Sequence, residues 1–266
     1  MTAHHIRYEL DGEGIATITI DRPEKRNAMT YAMLRAFNEA IAKASTDTAA
    51  RVVILTGVEG AFCAGTDLSD LQDTPTDERG SRGGSGAAPA ARPEPWPLLR
   101  CPKPVIGAID GYAMGMGAEF TSMCDVRIVT DRAKFGWVFA QRGLVPDTGA
   151  GSWLLPRLIG PQRALRLLYS AGILEAEEAL AIGYAAKIVA PEALQEAARA
   201  EARSYLKTSP FAVARIKELV WQGLERDVAT HMKHHLAAMA ECFASEDHKE
   251  GVASFLERRP TNFVGR

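Results

Sequence analysis

The chain has 266 residues, of which 47% are hydrophobic, and this is enough apolar material for one large core with a small appendage. A formal net charge of −2 argues against nucleic acid or an anionic membrane as the main partner. The N-terminal residues lack the apolar segment of a signal peptide, and no stretch is long enough to span a bilayer, so we expect a soluble, cytoplasmic protein with no membrane partner. The four cysteines are scattered without metal-ligand spacing and are predicted to be reduced thiols.

Strand and helix signals alternate in the first part of the chain. Residues 15–20 alternate apolar side chains with threonine, which is typical of a strand, and residues 8–10 can pair with them across a turn at 11–12. Thr30 is placed to cap a helix whose apolar side chains recur at helical spacing. Residues 51–57 predict a short strand whose centre, 52–55, is continuously apolar, as expected for a strand inside a parallel sheet.

Residues 73–97 differ in composition from the rest of the chain. They are rich in proline and glycine and have little apolar content before Trp96. The strand pattern resumes at Val105, so this segment interrupts a domain and does not link two of them. We predict a mobile surface flap, which could act as a lid over residues 62–68 or could have no function.

A glycine-rich turn, residues 111–119, follows the next apolar strand and reads GYAMGMGAE. The pattern predicts a strand, a turn and a helix N-terminus, where backbone N–H groups lack intrahelical partners and can bind an anion that forms during a reaction. Glu119 comes three residues after Met116, so its carboxylate can lie on the face where those amides converge. An acid or base beside such amides is a catalytic arrangement, although the same glycines can serve only for tight packing.

A second glycine-rich turn, residues 143–151, precedes an apolar helix, and the remaining chain is almost entirely helical. This order predicts an α/β core over residues 1–200 and a helical C-terminal region over residues 201–266. Three histidines share one late helix without a glutamate placed as a base, which predicts a solvated helix face and no metal site. They are His231, His234 and His235.

Five stretches taken together resemble the crotonase (enoyl-CoA hydratase/isomerase) superfamily, in consistent order along nearly the whole chain. They are residues 22–29, 62–68, 111–119, 143–147 and 250–259. The resemblance implies an α/β fold built as a spiral of ββα units, with a helical C-terminal region that drives formation of a homotrimer or a dimer of trimers. It also implies an acyl-CoA substrate in fatty acid metabolism, with coenzyme A entering as part of the substrate and no separate cofactor.

The resemblance assigns roles to particular residues by motif position. The backbone N–H groups of Thr66 and Met116 would form an oxyanion hole for the thioester oxygen. Further residues match positions that contact coenzyme A, the last two commonly from a neighbouring subunit: Lys25, Arg26, Ala64, Phe255 and Arg258. The Ala64 carbonyl would face the adenine amino group, Lys25 and Arg26 would face phosphates, and Phe255 and Arg258 would close over coenzyme A. Alternatively, the three cations are ordinary exposed charges.

The acid and base depart from the simplest hydratase pattern. Hydratases of this superfamily carry two glutamates, one of which matches Glu119, whereas the place of the second holds Phe139, which cannot transfer a proton. Asp147 offers a substitute, because isomerase-like and dehalogenase-like branches place an acting aspartate at this position. Partial burial would raise the pKa of Asp147 and make it a better base near neutrality. Alternatively, Asp147 only caps the turn or helix that follows it.

We therefore expect an enoyl-CoA hydratase/isomerase-type enzyme that uses Glu119 and Asp147 as acid and base on an oxyanion-stabilised enolate, with isomerisation better supported than hydration. Nucleophilic attack by Asp147 would instead give hydrolysis or dehalogenation, but this leaves Glu119 without a role. A non-catalytic scaffold of the same fold is a further alternative. Nucleic-acid binding lacks the expected cluster of lysine and arginine with interleaved aromatic residues.

Overall fold

The computed structural model describes residues 5–69 and 96–266. The predicted flap at 73–97 lies outside the described residues except for its last two, Trp96 and Pro97. Within the described ranges, strands and helices alternate in the first part of the chain and helices follow one another in the last part, as the sequence predicts.

The strands, in chain order, are β1 (Ile6–Leu10), β2 (Ile15–Ile20), β3 (Val52–Gly57), β4 (Ala61–Cys63), β5 (Val105–Ile109), β6 (Tyr112–Met114), β7 (Val126–Thr130), β8 (Lys134–Gly136), β9 (Leu174–Glu175) and β10 (Lys187–Val189). The helices are α1 (Tyr31–Thr46), α2 (Pro97–Arg100), α3 (Met116–Met123), α4 (Ala150–Ile159), α5 (Pro161–Ser170), α6 (Ala176–Ala181), α7 (Leu194–Leu206), α8 (Pro210–Gly223), α9 (Val228–Ala244) and α10 (Glu246–Glu257). Short 3₁₀ turns lie at Pro23–Lys25, Ala140–Arg142 and Pro191–Ala193.

The larger sheet has the strand order β1-β2-β3-β5-β7-β10. The predicted hairpin is confirmed, because β1 pairs antiparallel with β2 and Tyr8 lies opposite Ile18, whereas the other neighbouring strands are parallel. In β3, Val53 and Leu55 belong to one hydrophobic core, and the alternate residues of the strand belong to a second core. Successive side chains of a strand point to opposite faces, so a strand covered on both faces must be continuously apolar.

The smaller sheet has the order β4-β6-β8-β9, and its first three strands are parallel. At three places in the chain, a strand of the larger sheet is followed directly by a strand of the smaller sheet. These pairs are β3–β4, β5–β6 and β7–β8. Helix α3 follows the second of these pairs, and α4 follows the third. The repeat of two strands and a helix is the spiral of ββα units that the resemblance implies.

Helix α7 covers one face of the larger sheet. Its buried residues Leu194, Ala198 and Ala202 recur every four positions and pack in the second core against β3, β5 and β7. Residues at this spacing lie on one face of a helix. The predicted boundary between residues 200 and 201 falls inside this helix.

Helices α8 to α10 form the C-terminal region, and none of the residues of α8 or α9 is buried. Lys217 anchors α8 to the core, since its Nζ donates to Asp125 Oδ2 at 2.7 Å and to the carbonyl oxygens of Leu98 and Lys103. Several large apolar side chains of α8 to α10 are exposed in the single chain: Ile216, Val220, Leu224, Val228, Met232, Leu236, Met239, Phe243, Val252, Phe255 and Leu256.

The three histidines of α9 differ in their surroundings. His234 is exposed, as predicted, but His231 and His235 are half-buried in a groove between α8 and α9 that Ile216 also lines. The prediction of a fully solvated face is therefore wrong for two of the three, because α8 packs beside them. Among residues 5–69 and 96–266, no group of three potential metal ligands is close enough to hold an ion, and no helix has the length and hydropathy to cross a membrane. All four cysteines are free thiols, as predicted.

Candidate active site

The turn between β6 and α3 presents the start of a buried helix. Gly115, with φ 52°, precedes the first helical residue, and its N–H donates to the Gly136 carbonyl at 2.8 Å. Met116 is buried and opens α3, so its N–H lies in the first turn, where no intrahelical acceptor exists. In the part of the chain that the structure describes, this N–H has no other acceptor.

The loop after β4 lies against the loop at residues 26–29. Ala64 N–H donates to the Arg26 carbonyl at 3.0 Å, and Met29 N–H donates to the Gly65 carbonyl at 2.7 Å. Asp67 N–H donates back to the Met29 carbonyl at 2.9 Å. The Gly65 carbonyl and the N–H of residue 66 belong to one trans peptide group and point in opposite directions, so this N–H points away from Met29.

Gly65 brings the two loops into contact. Its φ of +100° lies in a region that side-chain-bearing residues rarely adopt, and a Cβ added here would lie 2.9 Å from the Met114 carbonyl oxygen and 3.7 Å from Met116 N. The peptide units around Thr66 and Met116 therefore pack against each other. The two N–H groups predicted as oxyanion donors lie in one small region of the structure.

Glu119 lies one helical turn beyond these amides and is fully buried. Its Oε2 accepts hydrogen bonds from the N–H of Thr148 at 3.0 Å and from the hydroxyl of the same residue, and its Oε1 accepts from Gly151 N–H. Burial raises the pKa of Glu119 to about 7; the Thr148 hydroxyl opposes this shift, and the negative charge of Asp147 adds to it. Glu119 is therefore an acid that titrates near neutrality.

Gly151 permits the close approach of α4 to this carboxyl group. A Cβ added at Gly151 would overlap Glu119 Oε1 and would lie 2.9 Å from Cδ1 of Trp137. The indole N–H of Trp137 is buried without a hydrogen-bond partner among the described residues. Helix α4 thus packs against the Glu119 carboxyl group, and the ring of Trp137 lies nearby.

Asp147 lies on the turn before α4 and is half-buried. The Thr66 hydroxyl donates to Asp147 Oδ2 at 3.4 Å. Burial raises the pKa of both Glu119 and Cys63, and the charge of Asp147 adds to each shift. The N-cap residue of α4 is Gly149, so Asp147 does not occupy the capping position of that helix. Its carboxylate lies beside the amide pair and beside the second carboxyl group.

Phe139 occupies the position where the hydratase pattern has its second glutamate. The side chain is 8% exposed, and its Cζ lies 3.8 Å from where a Cβ on Gly115 would be. This ring packs against the turn that opens α3. The wall of the site at this point is therefore apolar and has no titratable group.

The residues predicted to contact coenzyme A fall into two groups. Lys25 and Arg26 are exposed at the end of a 3₁₀ turn, and the hydrogen bond from Ala64 to the Arg26 carbonyl holds them beside the loop after β4. Phe255 and Arg258 lie at the end of α10, where Phe255 is 83% exposed and lines a groove with the C-terminal tail. Within the described chain, no hydrogen bond or ion pair joins the side chains of this second group to Lys25, Arg26 or Ala64.

Sequence reasoning missed three groups of residues that shape the site. Thr148 and Gly151 bind the Glu119 carboxylate, and Trp96 donates its indole N–H to the Thr148 carbonyl at 2.8 Å. Arg22 donates to Asp67 Oδ2 at 2.6 Å. The hydroxyl of Ser69, together with Arg22, keeps the pKa of Asp67 below its usual range. The loop at 22–29 is also held by Asn27, which is fully buried and donates to the carbonyls of Val58 and Ala61. Thr148 and Gly151 belong to a glycine-rich turn, and Arg22, Asn27 and Asp67 belong to stretches that carry the family resemblance, but the sequence assigned none of them a role.

The spiral of ββα units and a site built at the start of α3 define a protein of the crotonase fold class. The family described as Enoyl-CoA hydratase/isomerase matches residues 11–266 of the chain. The chain is 36% identical to a probable enoyl-CoA hydratase of Rhodobacter capsulatus over 270 residues, which cover 100% of both proteins. It is 34% identical to the 1,2-epoxyphenylacetyl-CoA isomerase of Escherichia coli, covering 96% of each chain.

Among solved structures, the enoyl-CoA hydratase of Bacillus anthracis superposes with a TM-score of 0.88 at 28% identity, covering 98% of this chain and 100% of that one. The chain belongs to the enoyl-CoA hydratase/isomerase family. It is accordingly an enzyme of the hydratase or isomerase type that acts on coenzyme A thioesters.

Proposed function

We propose that the enzyme moves a carbon–carbon double bond within an enoyl-CoA thioester, with Asp147 as the base and Glu119 as the proton donor. The observation that carries this proposal is the placement of two carboxyl groups beside the amides of Thr66 and Met116, with Phe139 where a hydratase has its second glutamate. The chemistry uses these side chains and backbone amides, and coenzyme A enters as part of the substrate.

The proposed reaction requires an ionised Asp147 and a protonated Glu119. Asp147 removes a proton from C2 of a 3-enoyl thioester, and the electron pair delocalises onto the thioester oxygen. The N–H groups of Thr66 and Met116 stabilise that charge, and the loss of one such donor costs about 100- to 1,000-fold in rate in another enzyme. Glu119 then donates its proton to C4 while the double bond forms between C2 and C3. Proton exchange with the solvent returns both carboxyl groups to their starting states.

The pKa of Glu119 supports its role as the donor. At about 7, a large fraction of this carboxyl group is protonated at neutral pH, which an ordinary exposed glutamate is not. The nearby charge of Asp147 favours this state, because two carboxylates in one site resist simultaneous ionisation.

Hydration is the second candidate, and the name of the Rhodobacter capsulatus relative favours it. In that reaction the same two carboxyl groups would position a water molecule for attack at C3 and protonate C2. The substitution of a glutamate by Phe139 weighs against it, since one of the two proton-transfer groups would have to be replaced by Asp147 from a different turn.

We further propose that the enzyme is a homotrimer, or a dimer of trimers, in which the neighbouring subunit supplies Phe255 and Arg258 to the coenzyme A site. Two observations support this. Both residues are exposed in the single chain, and α8 to α10 expose many large apolar side chains. Apolar surface of this extent is typical of a protein–protein interface. Light scattering at micromolar protein concentration tests the assembly, and a monomer would contradict it.

The decisive experiment uses deuterated water and two substrates supplied separately, crotonyl-CoA and a 3-enoyl-CoA. Isomerisation predicts conversion of the 3-enoyl-CoA to a 2-enoyl-CoA with deuterium at C4 and no water adduct. Formation of a 3-hydroxyacyl-CoA from crotonyl-CoA at a comparable or faster rate would instead establish hydration. A non-catalytic scaffold would turn over neither substrate and would show no thermal stabilisation by an acyl-CoA.

The base is tested by Asp147→Asn, which keeps the size of the side chain but cannot accept the proton. We expect kcat to fall by roughly 100- to 10,000-fold, the usual contribution of a general base, with acyl-CoA affinity largely unchanged. Asp131→Asn, at an exposed position outside the site, is the matched control and should leave kcat unchanged. Substantial turnover by Asp147→Asn would show that another group removes the proton.

A further inference from the structure

Trp96 adopts a backbone conformation that is rare for a bulky residue. It precedes α2 as its N-cap residue, with φ 58° and ψ 60°, in the left-handed region that favours glycine. The following residue is Pro97, and a residue before proline is further restricted to extended conformations. Such a conformation persists only when surrounding contacts hold it, and it often marks a functional site.

Three contacts of the Trp96 side chain hold this conformation. The indole N–H donates to the Thr148 carbonyl oxygen at 2.8 Å. The ring centroid lies 5.2 Å from that of Trp153, with the planes inclined by 35°. A Cβ added at Gly149 would lie 3.8 Å from Cζ2 of Trp96, so the ring lies directly over the turn.

This turn carries Asp147, the proposed base, and it binds Glu119, the proposed proton donor. Thr148 donates its N–H, at 3.0 Å, and its hydroxyl to Glu119, and the preceding residue is Asp147. The N–H of residue 148 is therefore fixed by Glu119, and its carbonyl is fixed by Trp96. Among the hydrogen bonds of the described chain, the indole N–H is the partner of the Thr148 carbonyl that comes from outside this turn and helix α4, so its loss frees one side of this peptide group.

We propose that Trp96 is a positioning residue: its indole N–H locks the peptide group of Thr148 and thereby fixes the directions in which the Glu119 and Asp147 carboxyl groups face the substrate. The proposal rests on the function proposed above. It assigns to Trp96 no contact with the reacting atoms, so its effect should appear in the rate of the chemical step and not in the binding of the thioester.

The test compares Trp96→Phe with Trp153→Phe. The first removes the N–H and keeps an aromatic ring over Gly149, whereas the second alters the stacked ring, whose indole N–H makes no hydrogen bond among the described residues. For Trp96→Phe we expect kcat to fall about tenfold with KM within about twofold of the parent value, which is the loss expected for one hydrogen bond that positions catalytic groups. For Trp153→Phe we expect both constants within about twofold.

A second readout does not depend on turnover. Hydrogen exchange followed by mass spectrometry should show faster exchange over residues 146–151 in Trp96→Phe and unchanged exchange there in Trp153→Phe. If the parent enzyme proves inactive on enoyl-CoA thioesters, the proposed function fails, but this comparison still decides whether Trp96 holds the turn. Unchanged exchange and unchanged kcat in Trp96→Phe would overturn the inference, as would equal losses of kcat in both variants.

If Trp96→Phe does not fold, 3-benzothienylalanine at position 96 replaces only the indole N–H by sulfur and preserves the shape of the ring. The same two measurements then apply. Parent-like kcat and exchange with this residue would overturn the proposal, and reduced kcat with faster exchange over the turn would support it.

Discussion

Replacing Glu119 by glutamine tests the burial and the raised pKa of this carboxyl group through the stability of the fold. Burial raises the pKa of Glu119 from 4.5 to about 7, so the folded state binds the proton more tightly than the unfolded state does. The stabilisation that follows is fully present below pH 4.5 and is lost as the pH rises through about 7. Glutamine does not titrate, so Glu119→Gln removes this pH dependence.

The size of the effect follows from the two pKa values. The interval between 4.5 and about 7, at roughly 1.4 kcal/mol for each pH unit, corresponds to about 3 kcal/mol, of which some is already lost at pH 5. The difference in unfolding free energy, variant minus parent, should therefore rise by about 2–3 kcal/mol between roughly pH 5 and pH 8.5. Glutamine also turns an amide N–H₂ toward the N–H groups of Thr148 or Gly151, which costs about 1–3 kcal/mol. This cost is the same at every pH and cancels in the comparison.

The assay is urea unfolding followed by tryptophan fluorescence at a series of pH values, with equal protein concentrations because the oligomeric state affects apparent stability. Glu177→Gln, at an exposed position of α6, is the matched control and should run parallel to the parent protein over the whole range. If the curves for Glu119→Gln and the parent are also parallel, the carboxyl group titrates at its ordinary pH and our account of its environment is wrong.

Three further predictions follow from other contacts. Because Glu119 must be protonated to act as the donor, kcat should fall as the pH rises through about 7, and a flat profile from roughly pH 6 to pH 8 would contradict its role. Gly65→Ala places a Cβ 2.9 Å from a main-chain oxygen of β6, so we expect a loss of about 1–3 kcal/mol in stability and a reduced kcat, whereas Gly12→Ala, which meets no atom within 4 Å, should change neither. Lys217→Met leaves the partly buried Asp125 carboxylate without its ion pair; we expect a loss of about 3 kcal/mol by urea unfolding and faster proteolysis within α8 to α10, and wild-type resistance would show that other contacts anchor this region.

Features of the chain that depend on nearby residues could be predicted from the sequence. Thr30 caps α1 by accepting the Met33 N–H, and β3 is the buried parallel strand that its apolar run indicated. Glu119 and Met116 share α3, so their spacing by one helical turn follows from the period of the helix. The order of the motifs was sufficient to indicate the family.

Only the tertiary structure decided which groups surround the Glu119 carboxyl. Thr148 and Gly151, which bind it, and Trp96, which binds Thr148, lie far from it in sequence, and no local period relates their positions to α3. The half-buried positions of His231 and His235 likewise depend on the packing of α8, which the periodicity of α9 does not encode.

The physical reason is the range of the interactions involved. Hydrogen bonds and apolar spacing within a helix or strand are set by neighbouring residues, and they recur with a fixed period that can be read along the chain. Burial, and with it the pKa of a carboxyl group, depends on which distant segments exclude water from it. The sequence by itself thus determined the elements and the residue types that they carry, whereas the fold determined that Glu119 is an acid near neutral pH beside Asp147.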